Sequence, residues 1–248
     1  MLGKYELNNI YNEDSYKAIK NIPDNSIDCI YVDIPYEYML NGKGTSELSK
    51  RVTKIKNELV ELDIRSGINF DILKDLVRVN KKINMFIWCS KLQILPILNF
   101  FDNYKSTYEI LTWNKSNPAP MTNNRWLPDM EYCLYFREKG VLLNSGYDYK
   151  SKWYTSPLNK KDKELYNHPT IKPLDLVKQH LLHATQPNDI VADFFLGSGT
   201  TAVAAKELDR NYIGFEIDQE YYKIAKDRLN GISANGQTSM FTNFEEEL

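Results

Sequence analysis

The stretch Ile190-Val191-Ala192-Asp193-Phe194-Phe195-Leu196-Gly197-Ser198-Gly199-Thr200-Thr201 decides how the rest of this chain is read. Its apolar, β-branched start predicts a buried strand. The Gly-Ser-Gly that follows predicts a tight turn, and the alanine-rich segment after it a helix. Gly197, Gly199 and Ala202 fit the G-x-G-x-x-G/A pattern. There, small residues permit the turn, let the backbone approach a ligand closely and pack helix on strand. Glu216, at the end of the next apolar run, is placed to accept hydrogen bonds from ribose hydroxyls. A tight strand–helix turn without a ligand is the competing reading. The polar crowding by Asp193, Thr200 and Thr201 favours a cofactor pocket.

Outward from this stretch, strands and helices alternate. Strands are predicted over 26–33, 83–89, 108–113, 131–136, 189–194 and 212–217, and helices over 70–79, 91–101, 173–184, 199–208 and 219–229. This order predicts an α/β fold with a doubly wound, mostly parallel, Rossmann-like sheet. The pattern gives one domain over 1–232, interrupted by polar, lysine-rich stretches at 37–69 and 140–167, and a polar tail at 233–248.

The bulk numbers exclude several alternatives. A net charge of −2 gives no global attraction to nucleic acid, so any DNA surface must be a local basic patch. Cys29, Cys89 and Cys133 are scattered, with no metal-binding spacing. They predict a reducing, cytoplasmic setting and no metal site. No apolar run is long enough to cross a bilayer, and the polar start MLGKYELNNIYNED lacks a signal-peptide core.

The chemistry comes from two turns. No lysine follows the glycines, which excludes a P-loop. A dinucleotide would set its pyrophosphate on the helix N-terminus. S-adenosylmethionine instead offers a carboxylate, suited to Thr200, Thr201 and that terminus, and an ammonium, suited to Asp193; these residues favour it. The second turn, Asp33-Ile34-Pro35-Tyr36, ends another apolar strand, where ligands collect in open α/β sheets. An aromatic amine is a poor nucleophile because its lone pair is delocalised into the ring. Acceptors on both its hydrogens, the Asp33 carboxylate and the Ile34 carbonyl, would free that pair. Pro35 helps fix the turn, and Tyr36 offers a face on which a flipped base can stack. An ordinary strand-ending turn is the alternative, since Asp and Pro are common there.

Together these residues resemble the exocyclic-amino DNA methyltransferases, in the β arrangement, where the amine motif precedes the cofactor motif. The usual motifs are Asp-Pro-Pro-Tyr and Asp-Pro-Phe-x-Gly-Ser-Gly-Thr-Thr. Asp33, Pro35 and Tyr36 match the first; Asp193, Phe195, Gly197, Ser198, Gly199, Thr200 and Thr201 match the second. The preceding motif is intact as His168-Pro169-Thr170-Ile171-Lys172-Pro173. The resemblance implies that Thr170 and Lys172 hold the methionine part of S-adenosylmethionine, and that Asp14 reads its adenine edge. Trp113, Lys115 and Glu131 match a Trp-x-Lys and a later glutamate. Ile34 and Phe194 replace motif prolines. Proline fixes φ and isoleucine does not, so the amine turn is expected to lose rigidity.

The resemblance implies transfer of a methyl group to adenine N6 in DNA, in a restriction–modification setting. Asp33 favours adenine. Cytosine N4 stays open, as does a DNA- or cofactor-binding homologue of low activity. Lys150, Lys152, Trp153, Lys160 and Lys161 form a candidate phosphate-contacting or target-recognition segment, with a solvated loop as the alternative. A homodimer is implied by the resemblance. Gln237-Thr238-Ser239-Met240-Phe241 resembles the peptide by which bacterial proteins dock on the replication sliding clamp.

Overall fold

A computed structural model describes residues 1–36, 68–118, 126–144, 146, 149–158 and 171–232. Its elements in chain order are β1 (Asn9–Asn12), α1 (Ser15–Ala18), β2 (Cys29–Asp33), α2 (Ile72–Val79), β3 (Asn84–Cys89), α3 (Ile94–Phe101), β4 (Ser106–Lys115) and β5 (Met130–Glu138). They continue with β6 (Trp153–Ser156), α4 (Leu174–Ala184), β7 (Ile190–Asp193), α5 (Thr200–Glu207), β8 (Asn211–Glu216) and α6 (Gln219–Leu229).

The strands form one sheet in the order β1-β8-β7-β2-β3-β5-β4-β6. Its middle is buried on both faces. Along β2, Ile30 and Val32 enter one core while Cys29 and Tyr31 enter the other. In β3, Met85, Ile87 and Cys89 alternate in the same way with Phe86 and Trp88. Successive side chains point to opposite faces, so a nearly continuous apolar strand has to be covered twice. α2 and α3 cover the first face; α4, α5 and α6 cover the second. This is the doubly wound arrangement expected.

β1, β8, β7, β2 and β3 pair in parallel, so their carboxyl ends share one edge. β5 runs antiparallel between β3 and β4. Its start therefore reaches that same edge and puts Glu131 opposite Trp113.

Three departures from the sequence reading stand out. β1 and α1 are short and polar and carry no clear periodicity; Asp14 starts α1 by accepting from Tyr16 N at 2.9 Å. Pro173 caps α4 rather than occupying its first turn. Within the aperiodic stretch 140–167, Trp153–Ser156 becomes the outer strand of the main sheet, parallel to β4. Four residues with exposed and half-buried side chains give too little alternation to be recognised alone.

Candidate active site

Four neighbouring strands bring acids to the carboxyl edge. β8 ends at Glu216, β7 at Asp193 and β2 at Asp33, while Asp14 lies just past β1. Adjacent strands lie about 4.8 Å apart, so these carboxylates form a row. Asp193 is buried and accepts from Phe195 N at 3.0 Å and from the Thr201 hydroxyl. Burial, reinforced by Asp33 and Glu216, pushes its carboxyl up to about 7.

Glu216 accepts from Gly197 N at 2.7 Å and Asp218 N at 2.9 Å, which ties the glycine turn to β8. Burial raises its carboxyl above the ordinary range. Its remaining lone pairs stay available to a ligand. Gly197 and Gly199 have φ of 52° and 82°. A Cβ on Gly199 would meet Ala225 Cβ at 2.9 Å, so conformation and packing both demand glycine there.

Both threonines of the turn have partners within the protein. Thr201 is committed to Asp193, and Thr200 Oγ1 accepts from Arg228 Nη1 at 3.0 Å. Both are buried parts of the turn's own hydrogen bonding. Arg228, which sequence reasoning missed, also donates to Ser198 O at 2.8 Å and Ser198 Oγ at 3.0 Å. The available signal was its spacing: Arg228 shares the buried face of α6 with Ala225 and Leu229. Phe195 meets Tyr16 edge-on, with ring centroids 6.2 Å apart.

Around the Asp33 turn, Lys172 sits at the centre. Its Nζ lies 2.6 Å from Asp33 Oδ2, 2.9 Å from Glu131 Oε2 and 3.2 Å from Tyr36 OH. It also lies 5.0 Å above the Trp88 ring. Glu131 accepts from Tyr36 OH at 3.3 Å and pairs with Lys115 at 2.6 Å. Burial opposes the Lys172 charge, but Asp33 and Glu131 outweigh it and hold the ammonium above its ordinary range. Burial likewise opposes ionisation of Glu131, yet Lys172 and Lys115 pull it down to about 2. Burial raises Asp33, an effect Lys172 partly offsets and Glu131 reinforces. Asp33 Oδ1 has no hydrogen-bond partner among the described residues, while the side chain as a whole keeps 31% exposure.

The turn itself is held from behind. Ile34 is 1% exposed, and its N–H donates to Trp88 O at 3.2 Å. Gln93, buried and not anticipated, donates to Pro35 O at 2.8 Å. The rigidity expected to be lost without proline is supplied by this packing. Lys172, expected beside the methionine part of the cofactor, is engaged with Asp33 and Glu131.

A protein-family model described as DNA methylase matches residues 27–227. The chain belongs to the DNA methylase family. It is 31% identical to the type II methyltransferase M2.LlaDCHI of Lactococcus lactis subsp. cremoris, over 91% of each chain. It is 30% identical to type II methyltransferase M2.MboI of Moraxella bovis, covering 91% of this chain and 88% of that one. Among solved structures, the M1.HpyAVI–SAM complex matches with a TM-score of 0.62 and 30% identity, covering 88% of this chain and 98% of that one. The fold is shared with the cytosine-N4-specific PvuII DNA methyltransferase, at a TM-score of 0.66 and 17% identity. This DNA methylase is thus an S-adenosylmethionine-dependent DNA methyltransferase of the restriction–modification type. Among its described residues no helix is long and apolar enough to cross a membrane, and no His, Cys, Asp and Glu cluster could hold a metal.

Away from this edge, Lys152 pairs with Glu109 at 2.5 Å, and Trp153 is 65% exposed. Glu109 precedes Lys115 by six residues along β4, about 20 Å of extended strand. Lys150 and Lys152 line a cavity of about 170 Å³ with Arg137 and His183, towards the other end of the methylase's sheet. Thr170, His168, Lys160, Lys161, the lysines of 43–56 and the segment Gln237 to Phe241 lie outside the described residues.

Proposed function

We propose that this methyltransferase modifies adenine N6 at a specific DNA sequence, with Asp33, Ile34, Pro35 and Tyr36 as the amine site. The observation that carries the reading is the adjacency of β2 and β7. It brings Asp33, whose Oδ1 has no hydrogen-bond partner among the described residues, beside the Asp193 turn. Asp33 and the Ile34 carbonyl accept the two amine hydrogens, so the nitrogen lone pair is freed from the ring. Tyr36 supports the base by stacking. Lys172 compensates the Asp33 charge, and Glu131 compensates Lys172 in turn. Catalysis here is positioning and preorganised electrostatics.

S-adenosylmethionine supplies an electrophilic methyl group on a sulfonium. The donor set fits it: a row of carboxylates suits a cationic ligand with ribose hydroxyls. Asp14, Asp193, Phe195, Gly197, Gly199, Thr200, Thr201 and Glu216 form the proposed cofactor cradle, with Thr170 named beside them by the motif; Lys172, named by the same motif, is assigned here to the amine site.

Residues 1–232 act as one catalytic domain, with the stretches 37–69 and 140–167 as insertions and 233–248 as a tail. Lys150, Lys152, Trp153, Lys160 and Lys161 contribute to DNA contact. The enzyme works in the cytoplasm as a homodimer, and Gln237 to Phe241 engages the sliding clamp. Sedimentation as monomer alone, or clamp pull-down unchanged by Phe241→Ala, would remove the last two points.

The deciding experiment is mass spectrometry of nucleosides from duplex DNA treated with the protein and labelled S-adenosylmethionine. N6-methyladenine supports the reading. N4-methylcytosine keeps the mechanism and changes the base, and no labelled base would refute methyl transfer.

A further inference from the structure

Trp126 is 98% exposed, and its neighbour Leu127 is 49% exposed. Both stand in the connection from β4 to β5, at the edge that carries Asp33, Lys172 and Glu131. Lys115 N donates to Asp129 O at 2.6 Å, and Lys115 Nζ lies 2.6 Å from Glu131 Oε1. Three residues of chain span at most about 11 Å, so Trp126 cannot be far from that contact. Trp88 and Trp113 are buried, as a large indole usually is. An indole left wholly in water beside a catalytic edge gives up the burial that makes aromatic residues stabilising.

We propose that Trp126 is a wedge for duplex DNA, entering the base stack beside the target nucleotide as that nucleotide is extruded. The inference rests on the DNA methyltransferase reading above. Asp33, at a strand end and largely enclosed, cannot reach an amine inside a paired duplex. The target base has to leave the stack, and unstacking is costly. An inserted aromatic ring replaces part of the lost stacking and props the gap open. Duplex DNA is the occupant because the exposed ring adjoins the edge at which the base enters. A base already out of the stack needs no wedge, and this separates the role from general DNA affinity.

Trp126→Ala and Trp126→Phe are compared with wild type on two duplexes carrying the methylated site. In one the target is normally paired; in the other it faces an abasic position, which lowers the cost of extrusion. Trp126→Ala is expected to slow methylation of the paired duplex at least about tenfold, yet to stay within about threefold on the abasic duplex. Trp126→Phe is expected to retain most of the paired-duplex rate. An equal loss on both duplexes, or no loss on the paired one, overturns the wedge alone. Wild type inactive on both would overturn the methyltransferase reading and the wedge with it.

Discussion

Lys172 Nζ lies 2.6 Å from Asp33 Oδ2, although 139 positions separate the two residues in the chain. The contact joins the segment that precedes the glycine turn to the motif proposed to present the amine acceptor. It makes Lys172 the counter-charge of Asp33. Glu131 on the antiparallel strand β5 completes the arrangement.

Replacing Lys172 by Met should therefore act on turnover more than on cofactor affinity. Asp33 would be left half-buried without its cation and would drift further towards the neutral acid. We expect kcat to fall about 100-fold, the scale of losing one preorganised electrostatic partner. The Kd for S-adenosylmethionine, measured by calorimetry, should change much less. A large rise in Kd with kcat preserved would return Lys172 to the methionine pocket.

Asp193 predicts a pH dependence. Its folded-state carboxyl sits at about 7, raised above the ordinary carboxylate value. The ionised form, which attracts a cationic cofactor, is populated as pH rises through that value. Affinity for S-adenosylmethionine should strengthen from pH 6 to 8 and level off above. Asp193→Asn should bind weakly with a flat profile.

The same group makes a stability prediction of opposite sign. Between its unfolded and folded values the native state binds more protons than the unfolded chain, so this group's contribution declines as pH rises from about 4 to about 7. Thermal unfolding of the cofactor-free protein should show Asp193→Asn more stable than wild type at pH 8, with the difference vanishing near pH 4. A destabilised variant at pH 8 would show that the hydrogen bonds to Phe195 N and Thr201 outweigh the burial cost.

Ile34→Pro would restore the usual amine motif but is not expected to improve the enzyme. It removes the N–H bonded to Trp88 O and shrinks a side chain that is 1% exposed. A loss of about 1–3 kcal/mol should appear in denaturant unfolding. Faster turnover at unchanged stability would show that backbone rigidity, not packing, limits the wild-type site.

Arg228→Gln tests the support beneath the glycine turn. Three hydrogen bonds from a buried guanidinium hold Ser198 and Thr200. Their loss should cost about 2–4 kcal/mol and weaken cofactor binding, because the turn is no longer held in its left-handed conformations.

The sequence by itself determined the strand–turn–helix at 190–207, the alternation that makes a doubly wound sheet, and the acids that end its strands. These are local matters: glycine at left-handed positions, β-branched runs long enough to be buried, and polar groups set where strands stop. Only the tertiary structure decided which of those groups meet. The antiparallel insertion of β5 delivers Glu131 to Lys172 and Lys115, and nothing in the periodicity of 130–138 announces its direction. The internal hydrogen bonds of Thr200, Thr201 and Glu216, the hold of Gln93 on Pro35 and the burial of Ile34 were equally invisible. Each depends on partners far away in sequence, and a charge or hydroxyl acquires its role from the neighbours that burial imposes. β6 was hidden for the same reason: four residues become a strand only because β4 offers an unpaired edge.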